Sequence, residues 1–197
     1  MESQVEQSCP ICGVENSLKM LAHTSEIPYF GEHTQITMSC HSCGWRVTDF
    51  IPAEGKKAGS WKLVVSSAEH ISSRVVRSSS CTVRIVELGL EVTPGSSSTG
   101  YISNVEGVLD RFSSAIGTIR RQADAEGDGD ILKKCDKLLS KIDMVKNGRL
   151  TVTLELLDPV GHSQILHEEA VSSEISDEDA RELDPGPVYP VFDVSSE

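Results

Sequence analysis

Two Cys-x-x-Cys pairs, each followed directly by glycine, constrain the fold of this chain more than any other feature. The pairs are Cys9 with Cys12 and Cys40 with Cys43. Two cysteines three residues apart can direct both sulfur atoms to the same side of a tight turn, and Gly13 and Gly44 supply the positive φ that such a turn needs. Four thiolates form a closed tetrahedral site for a d¹⁰ ion. The pattern therefore predicts one structural metal site in which all four cysteines are ligands.

Zinc is the expected ion. The amino-terminal residues show no secretory signal, so a reducing cytoplasmic location is expected, in which paired cysteines bind metals before they form disulfides. Iron in a rubredoxin-like centre uses the same ligands and stays open. The 27 residues between Cys12 and Cys40 exceed the usual spacing of roughly 15–20, which predicts a zinc ribbon with a long β-excursion. His23, His33 and His41 are interpreted as surface histidines, because a fifth ligand would break the tetrahedral geometry.

The net charge of −12 is concentrated at the carboxyl end. Residues 168–197 contain 10 acidic side chains and one basic one, whereas residues 61–167 contain 13 of each. A neutral body with an acidic tail argues against nucleic-acid binding, because that affinity depends on neutralising phosphates. No apolar run approaches the roughly 20 residues of a membrane span, so no membrane partner is expected.

Composition and periodicity divide the chain into three parts and a linker. Residues 1–52 are expected to form the zinc ribbon, which has too few large apolar residues to fold without its metal. A small polar linker covers 53–60. A β-rich domain spans 61–171 and contains a helical hairpin at about 103–147, where apolar residues recur at three- and four-residue steps. Residues 172–197 form the acidic tail, typical of a solvated, partly disordered segment.

The predicted fold class is mainly β with a helical hairpin. Apolar residues recur at two-residue steps before the hairpin, within 61–95, and after it, within 150–167, which predicts strands on both sides. Ser103 followed by Glu106 is a capping-box pattern, with Ser103 as the N-cap of the first helix. Strands on both sides of a helical hairpin indicate one antiparallel β-domain with a helical insertion.

An acidic turn between the two helices resembles a calcium-binding loop. Residues 124–131 place oxygens at the first, third and fifth positions of an EF-hand pattern, but Cys135 stands where a bidentate glutamate is needed. Calcium binding is therefore not expected, and Asp128 or Asp130 is expected to cap the second helix.

The remaining chemistry-bearing residues favour structural roles. Cys81 and Cys135 have neither a general base nor an orienting group placed beside them by the sequence, and we interpret them as buried, inert thiols. The serine clusters at 78–80 and 96–98 are interpreted as loops. The residues alone therefore predict no enzyme.

Four stretches, taken in order, resemble one known family. They are Cys9–Cys12 followed by Ile27–Phe30 and Ile36–Arg46, then Arg74–Ser78 with Val83–Leu88 and Glu91–Val92, then Val105–Leu109, and finally Leu157–Ser163. Together they are similar to the ZPR-type zinc-finger proteins. His162 stands where that family usually has asparagine, and Val86 stands where proline is common.

The resemblance implies a four-cysteine zinc ribbon followed by a double-stranded β-helix (jelly-roll-like) A-domain that carries the helical hairpin. It implies zinc ligands at Cys9, Cys12, Cys40 and Cys43, and a single module of the kind found in archaeal members. It also implies that the protein binds translation elongation factor 1-alpha and assists its folding.

The leading hypothesis is a non-enzymatic, zinc-stabilised adaptor or folding factor for elongation factor 1-alpha. The zinc site would order a loop whose exposed apolar side chains form a partner patch, namely Ile27, Pro28, Tyr29 and Phe30. The alternative, that these residues pack against the β-domain, stays open. A nucleic-acid-binding zinc ribbon of the transcription or translation machinery is the second hypothesis, and a jelly-roll enzyme with an unrecognised site is the third.

Overall fold

The structure, a computed structural model, describes residues 2–5, 7–28, 30–53, 57–95, 97–184 and 186. Three antiparallel sheets account for the strands of these residues. One sheet belongs to the amino-terminal ribbon, and the other two form the β-rich domain. No helix in these ranges is long and apolar enough to cross a membrane.

The ribbon is a four-stranded meander in chain order. Its strands are β1 (Glu2–Val5), β2 (Leu18–Ile27), β3 (Gly31–Cys40) and β4 (Arg46–Pro52). The β2–β3 pairing runs from Leu18 opposite Cys40 to Ile27 opposite Gly31. This hairpin of two ten-residue strands is the long excursion between the two cysteine pairs, and it carries the second pair back beside the first.

The ribbon has a very small core of its own. This core is a cluster of five buried apolar residues, and two of them are cysteines of the predicted metal site. The five are Cys9, Leu18, Met38, Cys40 and Val47. So few apolar side chains bury too little surface to hold a sheet together unaided, so the folding free energy of this unit has to come partly from elsewhere.

The β-rich domain contains eight strands of the described chain. They are β5 (Gly59–Val65), β6 (Arg74–Arg77), β7 (Thr82–Ile85), β8 (Leu90–Val92), β9 (Tyr101–Asn104), β10 (Val152–Asp158), β11 (Gln164–Leu166) and β12 (Val171–Glu174). One sheet has the order β12-β5-β10-β7-β8, and the other has the order β11-β6-β9. Strands from distant parts of the chain are therefore neighbours, which lets two short sheets enclose one apolar core.

Four helices of the described chain belong to this domain, and three of them contribute buried residues. They are α1 (Ala68–Ser72), α2 (Val105–Glu126), α3 (Gly129–Lys146) and α4 (Asp177–Glu182). The antiparallel pair α2 and α3 is the helical hairpin. Its buried face joins the same cluster as the inward residues of β5, β7 and β10, so the hairpin is part of the domain rather than an appendage.

The caps of the hairpin differ from the prediction at one end and match it at the other. The N-cap of α2 is Asn104, whose side chain accepts a hydrogen bond of 2.8 Å from the Gly107 N–H. Ser103 was the predicted cap and is not, because α2 begins at Val105 and the residue directly before it is Asn104. Ser103 lies one residue earlier, opposite Val75 in β9. Asp128 caps α3, as one of the two predicted alternatives had it.

The first part of the acidic tail joins the β-domain. Strand β12 adds to the edge of β5, and Lys57 forms an ion pair of 3.4 Å with Glu174. Helix α4 follows, with Ser176 as its N-cap. The segment assigned to the tail from residue 172 therefore begins within a strand, and residues 187–197 lie outside the described residues.

Candidate metal centre

The four paired cysteines converge at one end of the ribbon. Their sulfur atoms all lie within 4.8 Å of one another. The Sγ–Sγ distances are 3.7 Å for Cys9 and Cys43 and 3.8 Å for Cys12 and Cys40. A regular tetrahedron with zinc–sulfur bonds of about 2.3 Å has sulfur atoms about 3.8 Å apart. The site therefore fits a zinc ion bound by four thiolates.

Each pair is held by the tight turn that its glycine permits. Gly13 has a φ of +70° and Gly44 a φ of +75°, so the positive φ predicted at both glycines is confirmed. The Gly13 N–H donates to the Cys9 carbonyl at 2.9 Å, and the Gly44 N–H donates to the Cys40 carbonyl at 3.0 Å. A β-carbon at either glycine would strain a backbone that L-residues rarely adopt.

The electrostatics of the four-cysteine site favour a bound cation. The Ser17 hydroxyl, 3.3 Å from Cys40 Sγ, lowers the pKa of the Cys40 thiol to about 6. The Trp45 N–H lowers the pKa of Cys43, but partial loss of solvent and the three neighbouring sulfurs outweigh it and raise that pKa to about 12. Four sulfurs this close do not all ionise side by side without a compensating positive charge, which a divalent metal supplies.

The ligand set makes the centre structural. Cys9 and Cys40 are buried, whereas Cys12 and Cys43 are exposed. When zinc is bound by four thiolates, its coordination is complete and no position remains for water or substrate. The metal would therefore supply folding free energy to the ribbon, and its four ligands hold the ends of the β2–β3 hairpin together.

The nearby histidines are not ligands of this cluster. The ring of His41 donates to the Ser17 carbonyl at 2.8 Å, which fixes it beside the second turn. His33 was interpreted as a surface residue, and that interpretation is wrong, because only 3% of it is exposed and its ring contacts the Gly31 carbonyl at 3.1 Å. His23 is exposed on β2, as predicted.

The segment predicted to be a partner patch packs inward in part. Ile27 and Phe30 are buried against Val76 of the β-domain, with Phe50 and Leu166 beside them. This is the packing alternative that the sequence left open. Pro28 is exposed and Tyr29 lies outside the described residues, so partner binding by this segment stays a prediction.

A buried carboxylate in the β-domain was missed by the sequence analysis. Asp158 accepts hydrogen bonds from the hydroxyls of Ser78 at 2.7 Å, Ser80 at 2.8 Å and Ser163 at 2.7 Å. The Val160 N–H also donates to it at 3.0 Å. Residues 78–80 do form a loop, but they are buried rather than exposed. The available signal was the Asp-Pro-x-Gly turn, which starts at this aspartate.

A second buried aspartate joins the ribbon to the β-domain. Asp49 of β4 accepts hydrogen bonds from the Ser79 N–H at 2.8 Å and from the Ser79 hydroxyl at 2.5 Å. Beside it, the Gly100 N–H donates to the Thr48 carbonyl at 2.7 Å. The Thr99 hydroxyl also donates to that carbonyl at 2.9 Å. The metal-bearing unit is thus fixed to the larger domain through β4.

These features define a class of protein in which a four-cysteine, zinc-binding ribbon is fixed to an antiparallel jelly-roll domain that carries a helical hairpin. The ZPR1 jelly-roll domain family matches residues 69–182, which are more than half of the chain. This chain belongs to the ZPR1 family. The resemblance found in the sequence and the predicted jelly-roll fold are both confirmed.

Relatives match the ribbon as well as the β-domain. The chain is 37% identical over 186 residues to an uncharacterized ZPR1-like protein of Methanocaldococcus jannaschii, covering 94% of this chain and 92% of that protein. A second such protein, from Pyrococcus horikoshii, is 36% identical over 179 residues, 91% of this chain and 80% of that protein. The zinc finger chaperone zpr1 of Schizosaccharomyces pombe is 26% identical over 166 residues, 80% of this chain and 34% of that protein.

Proposed function

We propose that this protein is a non-catalytic, zinc-dependent folding factor that binds translation elongation factor 1-alpha in the cytoplasm. Membership of the ZPR1 family carries the proposal, because the family resemblance implies this partner and this activity. The name of the Schizosaccharomyces pombe relative, a zinc finger chaperone, supports the folding role. The complete coordination of the metal by four thiolates supports a structural use of zinc rather than a catalytic one.

The zinc end of the ribbon offers a surface suited to a protein partner. Ile11 is 54% exposed and Val14 is 43% exposed, and both belong to the first cysteine turn. Leu21, on β2, is 48% exposed. The Ile11 N–H donates to Cys9 Sγ at 3.4 Å, so the metal site orders the backbone that presents this side chain. Apolar side chains held on a rigid turn lose little entropy on binding.

A reason for the surface position of these side chains lies in the local geometry. Residues 10–14 form the turn beside the four-cysteine site and have no strand partner, and none of their side chains belongs to the small core of the ribbon. In the sequence, the apolar residues within and just after the first Cys-x-x-Cys pair are the feature that indicates this surface. The segment at residues 27–30 is further along the hairpin and is partly used in packing.

A binding experiment tests the proposal directly. The full chain, loaded with zinc, is mixed with purified elongation factor 1-alpha in its GDP-bound, GTP-analogue-bound and nucleotide-free forms. We expect a complex in at least one form, and we expect Ile11→Ser combined with Val14→Ser to weaken it by about tenfold or more. Cys12→Ser, which removes a ligand, should abolish the complex, and Cys135→Ser, the same change at a buried cysteine outside the site, should leave it intact. Absence of a complex in all three forms would contradict the proposal.

The folding role has its own assay. Denatured elongation factor 1-alpha is diluted into buffer with and without the zinc-loaded protein, and recovery of nucleotide binding is followed. We expect a higher yield with the protein than with an equal amount of the Cys12→Ser variant. Equal yields in the two samples would contradict the folding role and leave only the binding of elongation factor 1-alpha, which the first experiment tests.

A further inference from the structure

A cavity of about 440 Å³ lies in the β-domain away from the metal centre. Its walls come from β6, β7, β9, the first half of α2 and the segment that joins β8 to β9. Its lining includes the apolar side chains of Val83, Val108 and Phe112. It also includes two arginines, Arg77 and Arg111. A volume of this order is typical of small-molecule sites, which are about 300–1,000 Å³.

Arg77 is a buried cation with neutral partners. Only 5% of it is exposed. Its guanidinium donates to the Cys81 carbonyl at 2.7 and 3.1 Å, to the Ser98 hydroxyl at 2.8 Å and to the Thr99 carbonyl at 3.0 Å. Among the described residues, no carboxylate lies within ion-pair distance of it. A buried charge of this kind is normally paired.

Arg111 adds a second positive charge at the mouth of the cavity. Its guanidinium lies 4.0 Å from the centre of the Tyr101 ring, and that of Arg77 lies 5.8 Å from it. Within the described part of the chain, Arg111 also has no carboxylate partner. Burial raises the pKa of the Tyr101 hydroxyl, although the two arginines oppose that rise. The neighbour of the two guanidinium groups is therefore a neutral aromatic side chain and not a carboxylate.

The burial of Arg77 sets it apart from the other cations of the domain. Lys62, Arg120 and Lys146 are more exposed, and each pairs with a carboxylate. Arg77 is buried, and the exposed Arg111 lines the same cavity, so an external negative charge placed between the two arginines would be favoured. The apolar part of the lining disfavours a fully hydrated inorganic ion.

We propose that this cavity binds a small amphipathic carboxylate, whose charged group lies between Arg77 and Arg111 and whose apolar part packs against Val83, Val108 and Phe112. This site is separate from the partner-binding end of the ribbon and does not depend on the proposed client. Four of the five N–H groups of Arg77 already have protein acceptors, so Arg77 contributes its charge and one remaining N–H. The planar guanidinium of Arg111 can donate two parallel hydrogen bonds to a carboxylate. The ligand is either a free organic acid or a carboxylate attached to apolar residues of a polypeptide.

The chain itself contains one such source. Residues 187–197 combine apolar side chains, among them Phe192, with the carboxylates of Asp193 and Glu197. The last described residue before them, Gly186, lies close to the cavity. A β-carbon added there would come within 2.8 Å of the Ser79 carbonyl oxygen and 3.0 Å of Cβ of Pro94, the residue before a lining glycine.

The cavity is linked to the ribbon by one short segment. Arg77 holds Ser98 and Thr99, which line the cavity. Thr99 in turn exchanges hydrogen bonds of 2.9 and 3.1 Å with the backbone of Thr48 on β4. A ligand that fixes this segment would therefore also steady the attachment of the zinc ribbon.

Binding to the full, zinc-loaded chain is measured by calorimetry and by amide NMR shifts. The probes are benzoate, phenylacetate, 4-phenylbutyrate and hexanoate, each compared with its neutral amide. We expect at least one carboxylate to bind, with shifts at Tyr101 and in the first half of α2, and its amide to bind about tenfold more weakly or worse. If all four carboxylates fail to bind at about 10 mM, or if an amide binds equally well, the proposal is overturned.

Matched arginine variants separate this site from general charge effects. Arg111→Gln is expected to weaken carboxylate binding by about tenfold, whereas Arg121→Gln, the same change on the same helix outside the cavity, should leave the affinity unchanged. Equal losses in the two variants would overturn the assignment. Slower hydrogen exchange in β4 at ligand saturation is expected from the link to Thr48, and unchanged exchange would refute that link.

The source of the carboxylate is distinguished in the full chain. Phe192→Ser combined with Asp193→Asn should raise the probe's affinity several-fold if residues 187–197 compete for the cavity. An unchanged affinity assigns the site to a free acid. This comparison follows the two earlier measurements: a carboxylate has first been shown to bind the wild-type chain, and Arg111→Gln has been shown to weaken that binding.

Discussion

At the scale of single residues, two buried aspartates are expected to respond to acid in opposite directions. Burial alone would raise the pKa of Asp158, but the hydrogen bonds from Ser163, Ser78 and Ser80 outweigh it and hold the pKa below its usual value. Burial is the dominant effect at Asp49, where it raises the pKa despite the bonds from Ser79. Three hydroxyls stabilise the charge of Asp158, whereas one hydroxyl and the N–H groups of Ser79 and Phe50 stabilise that of Asp49.

Asp158→Ala is expected to lower the free energy of unfolding by about 3 kcal/mol, because it leaves three buried hydroxyls without their acceptor. Since its pKa is depressed in the folded state, the contribution of Asp158 is present above the unfolded pKa and is lost as the pH falls through the folded one. Urea denaturation checks both points. The control is Asp110→Ala, which removes a more exposed carboxylate on α2 and should cost less than about 1 kcal/mol. Similar losses in the two variants would contradict the role given to Asp158.

The stability of the Asp49→Asn variant relative to the wild type is expected to increase as the pH rises. A raised pKa means that the ionised carboxylate costs stability in the folded state, and this cost is absent below the ordinary value of about 3.9 and complete above the folded pKa. The unfolding free energy of the variant minus that of the wild type should therefore increase between about pH 4 and pH 7. Denaturation at several pH values measures it, and a constant difference would show that burial does not control this group.

At the scale of elements, the junction between the ribbon and the β-domain depends on a close approach at Gly100. A β-carbon there would lie 2.8 Å from Asp49 Oδ1 and 3.1 Å from the Arg77 carbonyl oxygen. Gly100→Ala should therefore loosen the junction and cost about 1–3 kcal/mol. Gly95→Ala is the matched control in the same segment, since no atom lies within 4 Å of its added carbon.

Limited proteolysis and hydrogen exchange report on this junction. We expect Gly100→Ala to speed exchange in β4 and in the segment between β8 and β9, with little change in β5 or β10. Gly95→Ala should exchange as the wild type does. Uniform destabilisation of the whole chain by Gly100→Ala would mean that the two units do not separate locally.

The start of the helical hairpin gives a second test at this scale. Asn104→Ala removes the side chain that accepts the Gly107 N–H, and a lost N-cap costs about 1 kcal/mol. Ser103→Ala changes the neighbouring residue, which the sequence pattern favoured as the cap, and should cost clearly less. Thermal unfolding of the two variants decides between them, and a larger loss for Ser103→Ala would restore the cap predicted from sequence.

At the scale of the whole molecule, local patterns predicted the parts that local chemistry controls. The cysteine turns followed from spacing and from glycine after each pair. The alternating segments became β5, β7 and β10, and the three- and four-residue repeats became α2 and α3. These features depend on neighbours within a few residues, so one sequence is enough to predict them.

Features that depend on distant contacts were not predictable in this way. A run of three serines at 78–80 indicates a loop, but the run alone does not show that this loop is buried. Its hydrogen-bond acceptor, Asp158, lies far along the chain. Ile119 belongs to the apolar three- and four-residue repeat of α2, which predicts a buried side chain, yet it is 53% exposed. Likewise, Ile27 and Phe30 are apolar in either environment, and only the position of β6 shows that they pack inward.

The dependence of the ribbon on its four-cysteine site is the central claim, and hydrogen exchange of the full chain tests it most directly. Amide protection is compared before and after zinc is stripped by a chelator in reducing buffer. The account predicts that β2, β3 and β4 lose their protection when the metal is removed, while β5, β7 and β10 keep theirs and added zinc restores the ribbon. Unchanged protection of β2, β3 and β4 without metal would contradict the claim.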